Sequence, residues 1–240
     1  MKNLRRTLSG KGRSAADQAY SGIIDLVLNH ELRPGERTSV NLLAARLQLG
    51  RTPVKEAITR LQTEGVLSVM GRSGTMVKRV DRAQTEQLFA LRRVLEDFAA
   101  ENAVKNIAPK QLQCLKDLLR EMGQITDHGN VVSTAEFVRA NVAFHSLIVE
   151  AANNQFLVRL YAQLQIQLQI VTYLVQRGFD PKAAERRQRE HAAIVKSLAA
   201  RNGSQLKAAL RSHAETTEVA ILATLKPAGP AAARRRERAA

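Results

Sequence analysis

The chain has few of the residues that mark secreted or membrane proteins. Among its 240 residues there is one cysteine, Cys114, so no disulfide can form within the chain, as is typical of intracellular proteins. No apolar run approaches the roughly 20 residues that a membrane-spanning helix needs. The basic N-terminus lacks the apolar segment of a secretion signal. These absences exclude a disulfide scaffold and a membrane partner, and we expect a cytoplasmic location.

Glycine and proline become sparse after about residue 81. From there the apolar positions keep a helical period nearly to residue 225, with short polar or proline-containing breaks. The pattern predicts six helices, near residues 82–107, 109–127, 132–152, 154–177, 182–202 and 204–225. Consecutive helices of about 20 residues with short connections are typical of an all-α bundle.

Glycine and proline interrupt the pattern more often in the first 80 residues. Helical periods and apolar alternation predict three helices and two strands there, at residues 14–30, 40–47, 51–64, 66–70 and 75–80. Gly50 marks a tight turn between the second and third helices, and Gly65 ends the third. A helix, a turn, a second helix and a hairpin in this order are typical of a winged helix-turn-helix.

We therefore predict a mainly α fold with two domains. An N-terminal winged helix-turn-helix domain covers residues 14–80, and an all-α six-helix bundle covers residues 81–225. Residues 1–13 are expected to form a flexible basic arm. Residues 226–240 lack periodicity and are expected to be a disordered basic tail.

The positive charge is unevenly distributed along the chain. The net charge is +15, from 37 Lys and Arg against 22 Asp and Glu. Residues 1–80 hold 14 basic and 6 acidic side chains, and the tail 226–240 holds 5 and 1, whereas the region between them is nearly balanced. This asymmetry predicts a polyanion partner for the N-terminal domain.

The third predicted helix begins with basic and hydroxyl side chains. A recognition helix places its N-terminal residues at base edges in the major groove, where Arg and Lys are the usual partners of guanine. The glycine-tipped hairpin can approach the minor groove or the backbone. The candidate DNA-binding residues are Arg51, Thr52, Pro53, Lys55, Arg60, Arg72 and Gly74.

The segment GRTPVKEAITRLQTEGVLSVMGRSGTMV resembles the DNA-binding domain of the GntR family of bacterial transcription regulators. Three positions depart from the usual family pattern, with Gly50 for serine, Lys55 for arginine and Gln48 for glycine. Lys55 keeps the charge but cannot form the bidentate contact of arginine. The resemblance implies a homodimer that binds a pseudo-palindromic operator in double-stranded DNA.

Three histidines lie on the inward faces of three different predicted helices. His145, His191 and His213 each share a face with apolar residues, and Asn141 precedes His145 by one turn. Any one of them alone is most simply a core residue. Three together, beside an amide oxygen, indicate a metal site, because neutral imidazole is the commonest metal ligand.

Arg92 falls on the same face as Leu88, Leu91, Leu95, Phe98 and Ala99 in its predicted helix. A buried guanidinium needs a partner. That partner is either Glu96, one turn further along the helix, or a carboxylate ligand bound in a cavity.

The segments LRRVLEDFAAENAV, NVAFHSLIVEAANNQFL, EHAAIVKSLAARNG and LRSHAE resemble the FCD ligand-binding domain of the FadR subfamily, in its six-helix VanR-type form. The resemblance implies that Asn141, His145, His191 and His213 hold a divalent ion, zinc or nickel. It also implies that Arg92 binds the carboxylate of a small organic acid effector. Position 141 is more often aspartate in the family. The expected behaviour is repression that the effector relieves.

Two other classes of protein stay open at this point. Histidine ligands with an open metal position could serve a hydrolase, although the nearest acidic residues, Glu150 and Glu190, are expected to lie off the inward face. A purely architectural DNA-binding protein with a solid helical core is the second.

Overall fold

A computed structural model describes residues 14–70, 74–127, 134–175 and 181–225. The predicted arm, the predicted tail and the candidate Arg72 lie outside these residues. Contacts divide the chain into two compact units, with the boundary between Arg79 and Val80. Among the described residues, no helix has both the length and the apolar character required to cross a bilayer.

The first unit contains three helices and three short strands. In chain order they are α1 (Ala15–Leu28), β1 (Arg37–Thr38), α2 (Val40–Leu47), α3 (Arg51–Thr63), β2 (Leu67–Val69) and β3 (Thr75–Val77). Ser39 caps α2 by accepting a hydrogen bond from the Leu42 N–H. Gln48 follows the last residue of α2 as its C-cap, and its φ of 55° is left-handed. The position where the GntR pattern has glycine therefore adopts the backbone conformation that glycine favours.

Helix α3 is amphipathic and packs against α1. Its buried face consists of Val54, Ala57, Ile58 and Leu61, as the periodicity predicted. Gly65, with a φ of 77°, follows the end of the helix. The Val66 N–H then donates to the Leu61 carbonyl, which closes the last turn.

The three strands form one antiparallel sheet in the order β1-β3-β2. The sequence predicted only the hairpin of β2 and β3, because the two residues of β1 are too few to show an alternation. Thr38 pairs with Thr75 in the register. Gly74, next to this pair, has a φ of +88°, and a Cβ there would lie 2.7 Å from the Thr38 carbonyl oxygen. The sheet itself therefore requires glycine at position 74.

The second unit consists, in its described part, of six helices. They are α4 (Arg82–Asn106), α5 (Pro109–Asp127), α6 (Thr134–Ala151), α7 (Gln155–Val175), α8 (Pro181–Ala199) and α9 (Gly203–Thr224). The mainly α fold class is confirmed. Two apolar clusters form the core, one around Phe144, Ile148 and Ile194, the other around Phe89, Tyr161 and Leu164.

One face of α4 differs from the prediction. Leu91 and Phe98 were placed on the inward face, but they are 49% and 47% exposed, and Val94 between them is 64% exposed. The buried row of α4 instead passes through Phe89, Arg92 and its neighbours one turn apart. Leu91 precedes Arg92 by one residue and therefore lies about 100° away around the helix. The predicted buried face was thus wider than the face that is buried in the structure.

Candidate functional site

Three buried histidines meet inside the second unit. His145 comes from α6, His191 from α8 and His213 from α9. Their candidate ligand atoms all lie within 4.8 Å of one another. The ring centroids of His191 and His213 are 4.5 Å apart, and those of His145 and His213 are 5.1 Å apart. The folding of three separate segments therefore creates the cluster that the sequence predicted.

The histidine cluster fits a divalent metal ion. Both ring nitrogens of His191 are buried without a hydrogen-bond partner among the described residues. Burial, then the nearby His213, holds the pKa of His191 well below its usual value, and His213 is affected in the same direction by burial and His145. The rings are therefore neutral, the form that binds metal. Three neutral imidazoles whose ligand atoms lie within 4.8 Å of one another are a donor set that suits a divalent ion such as zinc.

A charged network adjoins the cluster. The Arg92 Nε donates to the Glu96 Oε1 at 2.9 Å, and its Nη2 lies 3.1 Å from the His145 Nε2. The Tyr161 hydroxyl also donates to the Glu96 Oε1, which lies 3.2 Å from the His145 Nδ1. Burial alone would raise the pKa of Glu96, but Arg92, together with hydrogen bonds from His145 and Tyr161, lowers it well below the usual range. Arg92 and Glu96 are thus a buried ion pair, the first of the two predicted possibilities.

A second carboxylate, that of Glu190, contacts His213. The His213 Nδ1 lies 2.9 Å from the Glu190 Oε2, so the Nε2 of His213 is the nitrogen left for the cluster. The sequence placed Glu190 off the inward face, and its side chain is 15% exposed. Glu190 precedes His191 by one residue, so its side chain points to the side of the cluster. There it meets the His213 ring from helix α9. Burial raises the pKa of Glu190.

A small cavity of about 30 Å³ lies beside the cluster. This volume holds about two water molecules. The polar side chains that line it include Arg92, Asn141, Gln165, Arg187, His213 and Thr217. The Gln165 Nε2 and the Thr217 Oγ1 are buried and have no hydrogen-bond partner among the described residues.

Sequence reasoning found some of these lining residues and missed others. Asn141 and Arg92, which it placed beside the histidines, both line the cavity. It missed Gln165 and Arg187 in the lining, and it also missed Tyr161, which bonds to Glu96 in the adjoining network. Arg187 lies one turn before His191, and this i−4 spacing was the available signal. Gln165 and Tyr161 lie on α7, where no histidine directed attention to the inward face.

In the first unit, the predicted contact residues at the start of α3 are open to solvent. Arg51, Thr52 and Lys55 are exposed, and Pro53 is partly exposed in the first turn. Gly50 caps the helix without a side chain. The amino end of α3 therefore offers two long cations and a hydroxyl beside free backbone N–H groups, a combination suited to phosphate and base contacts.

Arg60 is engaged within the first unit. Its guanidinium lies 4.0 Å from the Tyr20 ring centroid and bonds to Asp17 at 3.4 Å and Glu64 at 3.1 Å. The Tyr20 hydroxyl donates to the Glu64 Oε2 at 2.6 Å. These contacts fasten α3 to α1 and position the recognition helix. The DNA contact of Arg60 stays a prediction.

Family comparisons agree with both halves of this architecture. Residues 15–77 match the family described as bacterial regulatory proteins, gntR family, and residues 87–216 match the FCD domain. The molecule is thus a transcriptional regulator that joins a helix-turn-helix unit to a helical FCD unit. The chain belongs to the FCD-containing group of the gntR family.

Individual proteins match large parts of the chain. The HTH-type transcriptional regulator LutR of Bacillus subtilis is 28% identical over 212 residues, which cover 80% of this chain and 94% of LutR. The structure of McbR/YncC from E. coli has a TM-score of 0.77 at 24% identity and covers 88% of this chain and 98% of that one. The metal-free FCD domain of TM0439 has a TM-score of 0.50 at 18% identity, over 61% of this chain and 96% of that one. The two structural likenesses show a shared fold.

These relatives also exclude one of the two alternative classes, the hydrolase. The related proteins are transcriptional regulators of the gntR family, and the chain is a regulator and not an enzyme. The hydrolase alternative is therefore discarded.

Proposed function

We propose that this regulator binds operator DNA as a homodimer and changes its DNA affinity when a small organic acid binds in the helical unit with a divalent metal ion. The observation that carries the proposal is the buried histidine cluster beside a cavity lined by hydrogen-bond donors. Within the part of the chain that the structure describes, neither ring nitrogen of His191 has a hydrogen-bond partner. Unpartnered buried polar atoms are costly, so such a cluster favours a ligand.

The metal would be held by His145, His191 and His213, with the amide oxygen of Asn141 as the fourth protein ligand. Zinc or nickel suits three imidazoles. The TM0439 structure is described as a metal-free FCD domain, which supports metal binding as a property to test in this one. When bound, the ion would act as a Lewis acid that attracts the carboxylate of the effector.

The acid would bind in the adjoining cavity. Arg92 lines that cavity while it is paired with Glu96. A guanidinium has five N–H donors, so Arg92 can keep its bond to Glu96 and donate to an effector carboxylate, while the His145 Nε2 would exchange Arg92 for the metal ion. The predicted role of Arg92 in effector binding is therefore compatible with its ion pair.

DNA contacts would come from the exposed start of α3 and from the wing. Arg51, Thr52, Pro53 and Lys55 would lie in the major groove, and Arg60, Arg72 and Gly74 stay the predicted additional contacts. This function places the protein in the cytoplasm with the bacterial chromosome. Repression relieved by the acid is the proposed direction of control.

The homodimer is supported by exposed apolar rows on two helices that pack together. Leu91, Val94 and Phe98 form the row on α4, and Phe156 and Leu160 are exposed on α7. Large exposed apolar side chains in rows are typical of association surfaces. A two-fold dimer would present two recognition helices to a palindromic site.

Control would follow from unequal binding of the acid to two arrangements of the dimer. The acid can change DNA affinity only by the ratio of its affinities for those arrangements. A typical coupling of about 1–3 kcal/mol would change DNA affinity by about 5- to 150-fold.

The test is selection of DNA from a random pool by the full chain, with and without added zinc and a set of small organic acids. We expect enrichment of a palindromic site, and release of that site by at least one acid. Arg51→Ala and Lys55→Ala should weaken binding, whereas Lys110→Ala, an equal charge change at an exposed site in the helical unit, should not. Failure to enrich any palindrome, or binding that no acid alters, would contradict the proposal.

A further inference from the structure

The second unit is held firmly at the point where its chain begins. Val80, its first residue, packs against the apolar cluster around Phe89. Asp81 caps helix α4 by accepting a hydrogen bond from the Gln84 N–H at 3.0 Å. The fully buried Thr85 donates its hydroxyl proton to the Asp81 carbonyl at 2.8 Å. The backbone from the boundary of the units to the first turn of α4 is therefore fixed within the second unit.

Arg82 joins the last turn of α9 to the same place. Its Nη1 donates to the Leu222 carbonyl at 3.1 Å, and its Nε lies 3.2 Å from the Glu86 Oε1. The last carbonyls of a helix have no partner within the helix, and the carboxyl end of a helix attracts a cation. Leu225, just after α9, packs against the same apolar cluster as Val80. Arg82 thus supplies, from the first residue of α4, a charged cap for α9.

Helix α9 also carries one of the three clustered histidines. His213 lies about two turns before the last turn of that helix. Ion pairs join α9 to α4 on both sides of His213, since Arg211 pairs with Asp97 and Arg93 pairs with Glu218. The two acidic side chains are only 15% and 13% exposed, so water screens these pairs in part. The segment of α9 between His213 and its last turn is therefore held against α4.

We propose that Arg82 is the positioning residue through which α9 conveys metal binding at the histidine cluster to the covalent connection between the two units. The inference rests on the proposed function, because it requires that the cluster binds a divalent ion. An ion bound to His145, His191 and His213 would fix α9 relative to α6 and α8. Helix ends fray. The bond from Arg82 is therefore needed for this restraint to pass through the last turn of α9 and reach Val80.

A second route from the cluster to the same connection runs along α4 itself. Arg92 lies on α4, and its Nη2 is 3.1 Å from the His145 Nε2. That route does not use the bond between Arg82 and the Leu222 carbonyl. A substitution at position 82 therefore separates the two routes.

The experiment is hydrogen exchange with mass spectrometry on the full chain, with and without zinc. Zinc bound to the wild type should slow exchange in peptides covering residues 78–88 by about fivefold or more, the low end of a typical coupling between sites. In Arg82→Met, which removes the donor to α9, the slowing should fall to about twofold or less. Zinc affinity of this variant should stay within about twofold of wild type, whereas loss of a residue that orients a metal ligand costs about 10- to 100-fold.

Two further variants are the controls. Arg82→Lys keeps a charged donor and should restore part of the slowing. Arg211→Met removes an equal charge from the same pair of helices, on the side of His213 away from the boundary of the units, and should keep the slowing of the wild type.

The inference is overturned if zinc slows exchange around His145 and His191 but not over residues 78–88 of the wild type. It is also overturned if Arg82→Met shows as much slowing there as the wild type, because the coupling would then run along α4 alone. Equal loss of slowing in Arg211→Met and Arg82→Met would contradict a specific role for Arg82. If zinc does not bind the wild type at all, the metal site of the proposed function fails, and the inference fails with it.

Discussion

The two units contain the same trio of side chains in two different environments. In the first unit Arg60 pairs with Glu64 one turn later, and the Tyr20 hydroxyl donates to Glu64. In the second unit Arg92 pairs with Glu96 one turn later, and Tyr161 donates to Glu96. The side chains of Arg60 and Glu64 are 53% and 11% exposed, whereas those of Arg92 and Glu96 are 5% and 3% exposed.

The contacts within the two trios are similar, but the difference in burial changes how much they affect stability. Water screens Arg60, and an exposed ion pair contributes about 0.2–1 kcal/mol. The buried pair gains more from Coulomb attraction but loses its hydration, so its net value is small while the cost of breaking it is large. The exposed trio therefore positions a helix, and the buried one fixes the groups around the histidine cluster.

Substitution of the arginine should give the largest difference in unfolding free energy between the two trios. Arg92→Met leaves the Glu96 carboxylate buried without its cation and should cost about 3–5 kcal/mol of unfolding free energy. Arg60→Met should cost about 1 kcal/mol or less. Because the chain has no tryptophan, urea unfolding is best followed by hydrogen exchange and mass spectrometry, which resolves the two units.

The same pair of variants gives a pH test. Burial is the first cause acting on Glu96 and raises its pKa, and Arg92 reverses this effect. Without Arg92 the folded carboxyl should keep a pKa above its ordinary value of 4.5, so folding would require a proton that the unfolded chain lacks. The deficit of Arg92→Met relative to wild type should grow as the pH rises above about 4.5. A deficit equal at pH 5 and pH 8 would contradict this explanation.

Removal of the tyrosine hydroxyl should have a smaller effect in the same direction. Tyr161→Phe deletes one hydrogen bond to a buried carboxylate and should cost about 1.5–3 kcal/mol. Tyr20→Phe deletes the matching bond near the surface, where water can replace the hydroxyl, and should cost about 1 kcal/mol or less. Equal losses for the two variants, measured by the same unfolding experiment, would show that burial does not control the strength of these trios.

A comparison of the half-buried Glu190 with an exposed carboxylate on the same helix tests the effect of burial on metal affinity. Glu190→Gln removes the carboxylate from the His213 Nδ1 and should lower zinc or nickel affinity by about 10- to 100-fold. The control is Glu185→Gln on the same helix, whose exposed side chain pairs with Arg189. Competition with a chromophoric chelator measures both affinities, and nitrogen NMR of the histidine rings reports the tautomer of His213. Unchanged affinity with a changed tautomer would remove Glu190 from the metal site.

Periodicity predicted the parts of the site that lie along single helices. His145, His191, His213 and Arg92 were placed inward because each shares a face with apolar neighbours, and Glu96 follows from its spacing of four residues. The contacts of Tyr161 and Glu190 depend on which helices are neighbours, and a helical period carries no information on neighbours. Strand β1 was missed for a related reason, since only pairing with β3 makes two residues a strand.

Elemental analysis of the purified full chain, never exposed to chelator or nickel resin, tests the histidine cluster most directly. The wild type should contain close to one divalent ion per chain, and a His145→Ala, His191→Ala double variant should contain almost none. Wild-type protein that stays free of metal after equilibration with zinc and nickel, or a double variant that retains as much metal as the wild type, would contradict the assignment.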